Sequence, residues 1–248
     1  GPIRNAWGRA LVRWAVGAAA AVTVRDAGSR ELLRELGVTR PIEVVADPVF
    51  CLDVEDWVSL PARTATHGRD TLEVGIALRQ RGLSPEGCAH LAAALDELAR
   101  RRPVHYTFFA MQRPEDLTAA RAVSARLTAR HRVVDAALGL GDVATLIARC
   151  DLIVGMRLHA LILAALLRRP LAGISYDPKV DEFLSQLGLT ALATLPELPP
   201  PAELVRRLED CLDQRERCRA LLAERVPRLR AGAERAFEVA AQLLTSPA

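Results

Sequence analysis

Short apolar runs alternate with amphipathic stretches from end to end of the chain, the period expected of βα units that build a parallel sheet. Ala21–Arg25 reads as a first strand, followed by Asp26-Ala-Gly-Ser29 and an amphipathic helix Arg30–Leu36 stopped by Gly37. Ser29 is placed to cap that helix. Ile42–Ala46 is the next strand, ended by Asp47-Pro48, and Cys51–Asp70, with Pro61, Gly68 and mixed charges, reads as a linker between two lobes.

A second series begins at the strand Leu72–Leu78 and passes through a Ser84-Pro85 helix start to a helix reaching Arg102. Val104–Phe109 is a buried strand, Pro114–Arg130 a helix, Arg132–Asp135 a short strand and Asp142–Arg149 a helix. Leu152–Gly155 is a strand, and Leu158–Leu167 a helix with no polar face, which must be buried on most sides. Leu171–Ser175 closes the strand set and Pro178–Leu187 is a helix ending at Gly188. Pro196–Pro201 breaks the chain before one or two Arg/Glu-rich helices over Ala202–Leu244. The pattern predicts an α/β protein with three parts. Residues 1–58 form the end of a first α/β lobe, 70–200 a Rossmann-type parallel-sheet domain with helices on both faces, and 201–248 terminal helices.

Composition narrows the class. A chain of 248 residues can bury a substantial core, and 50% hydrophobic with 25% charged residues is ordinary for a globular protein. A formal net charge of +3, evenly spread, argues against nucleic acid as a partner. Cys51, Cys88, Cys150, Cys211 and Cys218 are scattered with no CxxC spacing, which fits a reducing compartment, the cytoplasm, and neither a disulfide framework nor a zinc site. The apolar runs Ala15–Val24 and Leu158–Leu167 fall short of the roughly 20 residues a bilayer span needs. The chain opens on Gly-Pro-Ile rather than Met, as if entering mid-fold, so a preceding portion is expected.

Of 33 basic residues only one, Lys179, is lysine, in Gly173-Ile-Ser-Tyr-Asp-Pro-Lys-Val180. An ammonium surviving where every other basic position is arginine marks either a compositional accident or a place that needs a compact charge. Pro178 suits a first helical position, so Lys179 falls in a first helical turn, where its charge opposes the helix dipole unless an anion binds. Gly155-Met-Arg-Leu-His159 joins a buried strand to a buried helix, at the sheet edge where ligands of such folds bind. There Arg157 offers a fork for a carboxylate or phosphate, and His159 a titratable proton. The plainer alternative is Arg157 paired with a carboxylate in a packed loop and His159 a satisfied core histidine. Arg25, Arg79 and Met111-Gln112 also follow strands. Asp47, before Pro48, reads as a turn residue. Walker-type loops, GxGxxG, HExxH and serine nucleophile elbows are missing from the sequence, and neither metal nor cofactor is expected.

At these residues the sequence resembles the polysaccharide pyruvyl transferase family. The matching segments are Thr23-Val-Arg-Asp26 with Ser29 and Leu36-Gly37, Ala46-Asp-Pro48, Gly75 to Arg79, and Met111-Gln112 with Asp116. They continue with Asp151 to Ala160 and Gly173 to Val180, with Phe183 and Leu187-Gly188. The resemblance implies a two-lobed GT-B-like fold and transfer of pyruvate from phosphoenolpyruvate onto two hydroxyls of a cell-wall or extracellular polysaccharide sugar, releasing phosphate. It implies His159 as general acid/base and Arg157, Lys179, Arg25, Arg79, Gln112, Leu158 and Tyr176 as substrate-binding residues. Its implied partners are phosphoenolpyruvate and a glycan or lipid-linked sugar, the latter bringing peripheral membrane association. Two other functions remain open: a GT-B-type glycosyltransferase or nucleotide-sugar enzyme gripping a diphosphate, and a non-catalytic anion- or glycan-binding module.

Overall fold

The structure is a computed structural model that describes residues 3, 5–59 and 71–245. Its centre is a six-stranded, wholly parallel sheet: β3 (Leu72–Ala77), β4 (Val104–Phe108), β5 (His131–Val133), β6 (Leu152–Gly155), β7 (Leu171–Ser175) and β8 (Ala193–Thr194). The spatial order is β5-β4-β3-β6-β7-β8. The chain builds outward from β3 in one direction, returns past it, and builds outward from β6 in the other. Two short strands, β5 and β8, form the edges.

Each face of the sheet carries its own apolar layer. On one face Val74, Ile76 and Leu78 pack against α3 (Pro85–Arg101), α4 (Glu115–Ser124) and α8 (Pro201–Asp213) through Leu91, Leu95, Val123, Leu204 and Leu208. On the other, Ala77 and Ile153 pack against α5 (Leu140–Ala148), α6 (Leu158–Leu166), α7 (Pro178–Gln186) and α9 (Arg215–Thr245). Strands covered on both sides are buried along their length, as β4, β6 and β7 are at every position. Their polar members are partnered: His105 and Thr107 bond Glu73, and Ser175 donates to Asp181 at 2.6 Å. Helix and strand approach closely where glycine permits. A Cβ on Gly155 would lie 2.9 Å from Leu161, and one on Gly173 2.7 Å from Leu184.

Ahead of this sheet in the chain come α1 (Ala6–Ala18), then β1 (Thr23–Val24), α2 (Ala27–Glu35) and β2 (Glu43–Val44), the two strands pairing in parallel. α9 returns to this segment: Arg235 pairs with Glu43 at 2.8 Å and Arg230 with Asp53 at 2.7 Å. Helix α1 has no buried residue, and its Trp7, Leu11 and Trp14 face solvent.

Several sequence expectations need correction. The helix expected over Arg30–Leu36 starts at Ala27, because Asp26 and not Ser29 is the N-cap: its carboxylate accepts the Ser29 N–H at 2.6 Å. The helix expected to reach Arg130 stops at Ser124, and Asp96 instead accepts the Thr128 and Ala129 N–H groups of the following turn. Helix α1 and strand β8 are not anticipated by the sequence reading: α1 is amphipathic but its apolar positions stay unburied, and a two-residue ladder is too short to show a period. The near end of the expected linker is packed: Val54 is buried in the 3-10 turn Val54–Trp57, as is Phe50 in the turn Pro48–Cys51 leading into it. Its remainder, 60–70, lies outside the described residues.

Asp26 gives a direct test of how α2 is capped. Burial works to raise its carboxyl pKa, but bonds from Ser29 and the Arg25 guanidinium outweigh this and hold it below the ordinary carboxylate value. Asp26→Ala is expected to cost about 1 kcal/mol in urea unfolding at neutral pH. A depressed native pKa stabilises above the unfolded value, so the deficit should shrink as pH falls below about 4.

Candidate active site

β3 and β6 are neighbours whose following helices lie on opposite faces of the sheet, α3 on one and α6 on the other. Such a switch point opens a crevice at the carboxyl ends of the strands, where ligands of open α/β sheets bind. A cavity of about 300 Å³ occupies this position, lined by Arg79, Gln80 and Arg81 beyond β3, Gln112 and Glu115 beyond β4, and Arg157 beyond β6. A larger cavity, about 660 Å³, lies at the opposite edge, where Leu152 and Leu171 begin β6 and β7 under α8 and α9. Its Cys211 is raised by burial and by neighbouring Cys218 and Asp210 to a pKa of about 11, so its thiol is protonated and unreactive at neutral pH. That cavity also carries Arg206, Arg207 and Arg217 but lies where the strands begin, so its position, not its charge, makes the smaller cavity at the switch point the candidate site.

The strand ends are cross-tied. Met156 N–H donates to the Ala77 carbonyl at 2.9 Å, and Arg79 N–H to the Met156 sulfur at 3.4 Å. Arg157 holds the N-cap position of α6, yet no side chain caps that helix, whereas Asp177 caps α7 and Ser84 caps α3. The first N–H groups of α6, beginning with that of Leu158, therefore receive no capping side chain, and a helix dipole favours an anion at such an end. Eight of the nine residues of α6 are buried, and the exception is His159. The core-histidine alternative is thus excluded, since the imidazole stands in solvent on the first turn of an otherwise enclosed helix.

The carboxylate pairing of Arg157 is real. Its Nε donates to both oxygens of Asp116, at 2.8 and 2.9 Å, and its Nη2 also bonds Oδ1. The Asp116 side chain is wholly buried and accepts the N–H groups of Met111 and Gln112 at 3.1 and 2.8 Å.

Beside the cavity, Tyr176 joins the other two cations. Arg79 Nη1 donates to its hydroxyl at 2.6 Å, with the guanidinium carbon 5.0 Å from the ring centroid. The Lys179 ammonium lies 5.2 Å from the same centroid and 3.8 Å from the Asp177 carboxylate. Arg25 does not line the cavity; Asp26 and Asp47 hold it, and its carbonyl accepts Gln186 at 3.5 Å. Arg79, Gln112 and Arg157 thus converge on one cavity, and Lys179 and Tyr176 join them through Arg79. Arg81, Gln80 and Glu115 are additions from the same loops. Arg81, two residues beyond Arg79, was legible as a second cation on one strand-end loop.

The family model for polysaccharide pyruvyl transferase matches residues 1–178, ending one residue before Lys179. The chain belongs to that family. No protein of curated function matches it in sequence. Among solved structures, this pyruvyl transferase family member is similar to the sucrose-phosphate synthase of Thermosynechococcus elongatus, with 16% identity and a TM-score of 0.67 over 98% of this chain and 63% of that one. It is similar also to a UDP-forming α,α-trehalose-phosphate synthase from Burkholderia xenovorans, with 13% identity and a TM-score of 0.64, covering 99% and 67%. The S. aureus MnaA–UDP structure follows at 12% and 0.63, covering 92% and 61%. These likenesses establish the GT-B-like parallel-sheet fold. The chain spans 61–67% of the length of these three structures. Among the described residues, no helix is long and apolar enough to cross a membrane.

Tyr176→Phe keeps the ring and removes the hydroxyl that orients Arg79. Calorimetric titration with inorganic phosphate should show binding weakened by about five- to tenfold, the worth of one hydrogen bond to a charged group.

Proposed function

We propose that this protein transfers pyruvate from phosphoenolpyruvate to a sugar of a cell-wall or extracellular polysaccharide, forming a cyclic ketal and releasing phosphate. The observation that carries the reading is the meeting of three cations, Arg79, Arg157 and Lys179, from three strand ends near an uncapped helix N-terminus whose single exposed residue is His159. A donor bearing both a carboxylate and a phosphate needs several fixed cations in one place, and a methylene carbon that must be protonated needs an acid beside them. Family membership supplies the reaction class.

In this mechanism the α6 N–H groups, Arg79 and Lys179 hold the phosphate, while Arg157 and Gln112 orient the carboxylate. Protonated His159 delivers its proton to the methylene carbon, leaving C2 electron-poor. A first sugar hydroxyl attacks C2 and its proton passes to His159. That proton accompanies the phosphate as the C2–O bond to phosphate breaks, with Lys179 and Arg79 stabilising the departing charge. A second hydroxyl closes the ketal on C2 and reprotonates His159, so the imidazole ends as it began. The acceptor is a glycan or a lipid-linked sugar, the latter placing the protein at a membrane surface. The five free thiols favour the cytoplasm.

The deciding experiment incubates the full chain with phosphoenolpyruvate and a panel of amino-sugar and hexose glycosides, following phosphate release and the pyruvyl mass increment. Product with one acceptor supports the proposal. No product, with binding of a nucleotide sugar, would assign the cleft to glycosyl transfer, and ligand binding without turnover to a recognition module. His159→Ala should remain folded and lose about 10²–10⁴-fold in turnover. Lys179→Arg keeps the charge and changes its shape, so its expected loss of phosphate-release rate separates a used lysine from an accidental one.

A further inference from the structure

The buried carboxylate of Asp116 has no route to a substrate, yet it is the best-satisfied polar group near the cavity. Its Oδ2 accepts Met111 N–H, Gln112 N–H and Arg157 Nε, and its Oδ1 takes the other prong of the guanidinium. A fully buried charge is expensive unless paired and hydrogen-bonded, and the structure meets that cost with a forked pair and two backbone donors from the loop after β4. The loops beyond β4 and β6, two strands apart in the sheet, are thereby fastened together.

We propose that Asp116 is a positioning residue that sets both the direction and the effective charge of Arg157. With Nε and one Nη2 hydrogen committed, the Nη1 edge is what Arg157 presents to the cavity it lines. With its charge matched by Asp116 inside the protein, Arg157 contributes a fixed pair of donors more than net attraction. Long-range pull on an anion then falls to Arg79, Arg81 and Lys179. The kinetic half of this inference rests on the pyruvyl-transfer reading; the binding half does not.

The two effects have opposite signs on removing the carboxylate charge, which makes them separable. In Asp116→Asn, phosphate binding measured by calorimetry should tighten about threefold, the effect of one unit charge several ångströms away in a wet site. At the same time kcat should fall about 10²-fold, because the guanidinium is no longer held in line. Asp116→Glu keeps the charge and displaces the fork, so phosphate affinity should stay within about twofold while kcat falls comparably; it also serves if Asp116→Asn does not fold. In an Arg157→Lys background, which has no fork to hold, Asp116→Asn should change kcat less than about threefold.

Equal kcat losses from Asp116→Asn in the two backgrounds, or phosphate binding weakened in step with kcat, would overturn the proposal and leave Asp116 a fold element. Wild-type protein that releases no phosphate with any acceptor would defeat the pyruvyl-transfer reading instead. The phosphate titrations of the same variants would still decide the role of Asp116.

Discussion

Two adjacent parallel strands that send their chains to opposite faces of the sheet create a gap that nothing else in the fold must fill. β3 gives way to α3 on one face and β6 to α6 on the other, so neither helix roofs the space between their carboxyl ends. Every strand of a parallel sheet ends on the same side, so residues far apart in sequence arrive there together. Arg79, Gln112 and Arg157 are brought to one cavity by topology, and their chemistry follows from that meeting.

The enclosure of α6 sharpens the result. A helix buried along its length cannot slide without disturbing both β6 and β7, and Gly155 and Gly173 let helices approach those strands closely. His159 is consequently presented to solvent by a helix that is buried at every other position. The proton-transfer role proposed for it calls for such support, because position controls the entropy of reaction.

Strong periodicity and buried runs were legible in the sequence: β6 and β7 keep the expected limits, and the stretch from Leu158, apolar but for His159, is buried as a helix without a polar face must be. Arg157, His159, Lys179 and Tyr176 could be singled out because each follows the end of an expected strand. What the sequence could not disclose was partnership. The pairing of Arg157 with Asp116 joins residues 41 apart in the chain, and no spacing rule connects them. Nor could it show that Tyr176 stands between two cations, or that Arg25 is held by carboxylates and turned from the cavity. Where two local signals competed the wrong one was easily chosen, as at Asp26, whose carboxylate claims the cap that Ser29 could have supplied.

The margins of the sheet bear on a different matter, how copies of the protein behave at high concentration. A strand at an edge exposes backbone donors and acceptors that can template pairing with another molecule. Here the long, apolar strands β3, β6 and β7 are interior, and the borders are β5 and β8, with three and two residues. Arg132 in the first and the nearby Pro196 beyond the second further discourage an incoming strand. The most adhesive part of the chain is thus kept from its neighbours in solution by the brevity of the strands that flank it.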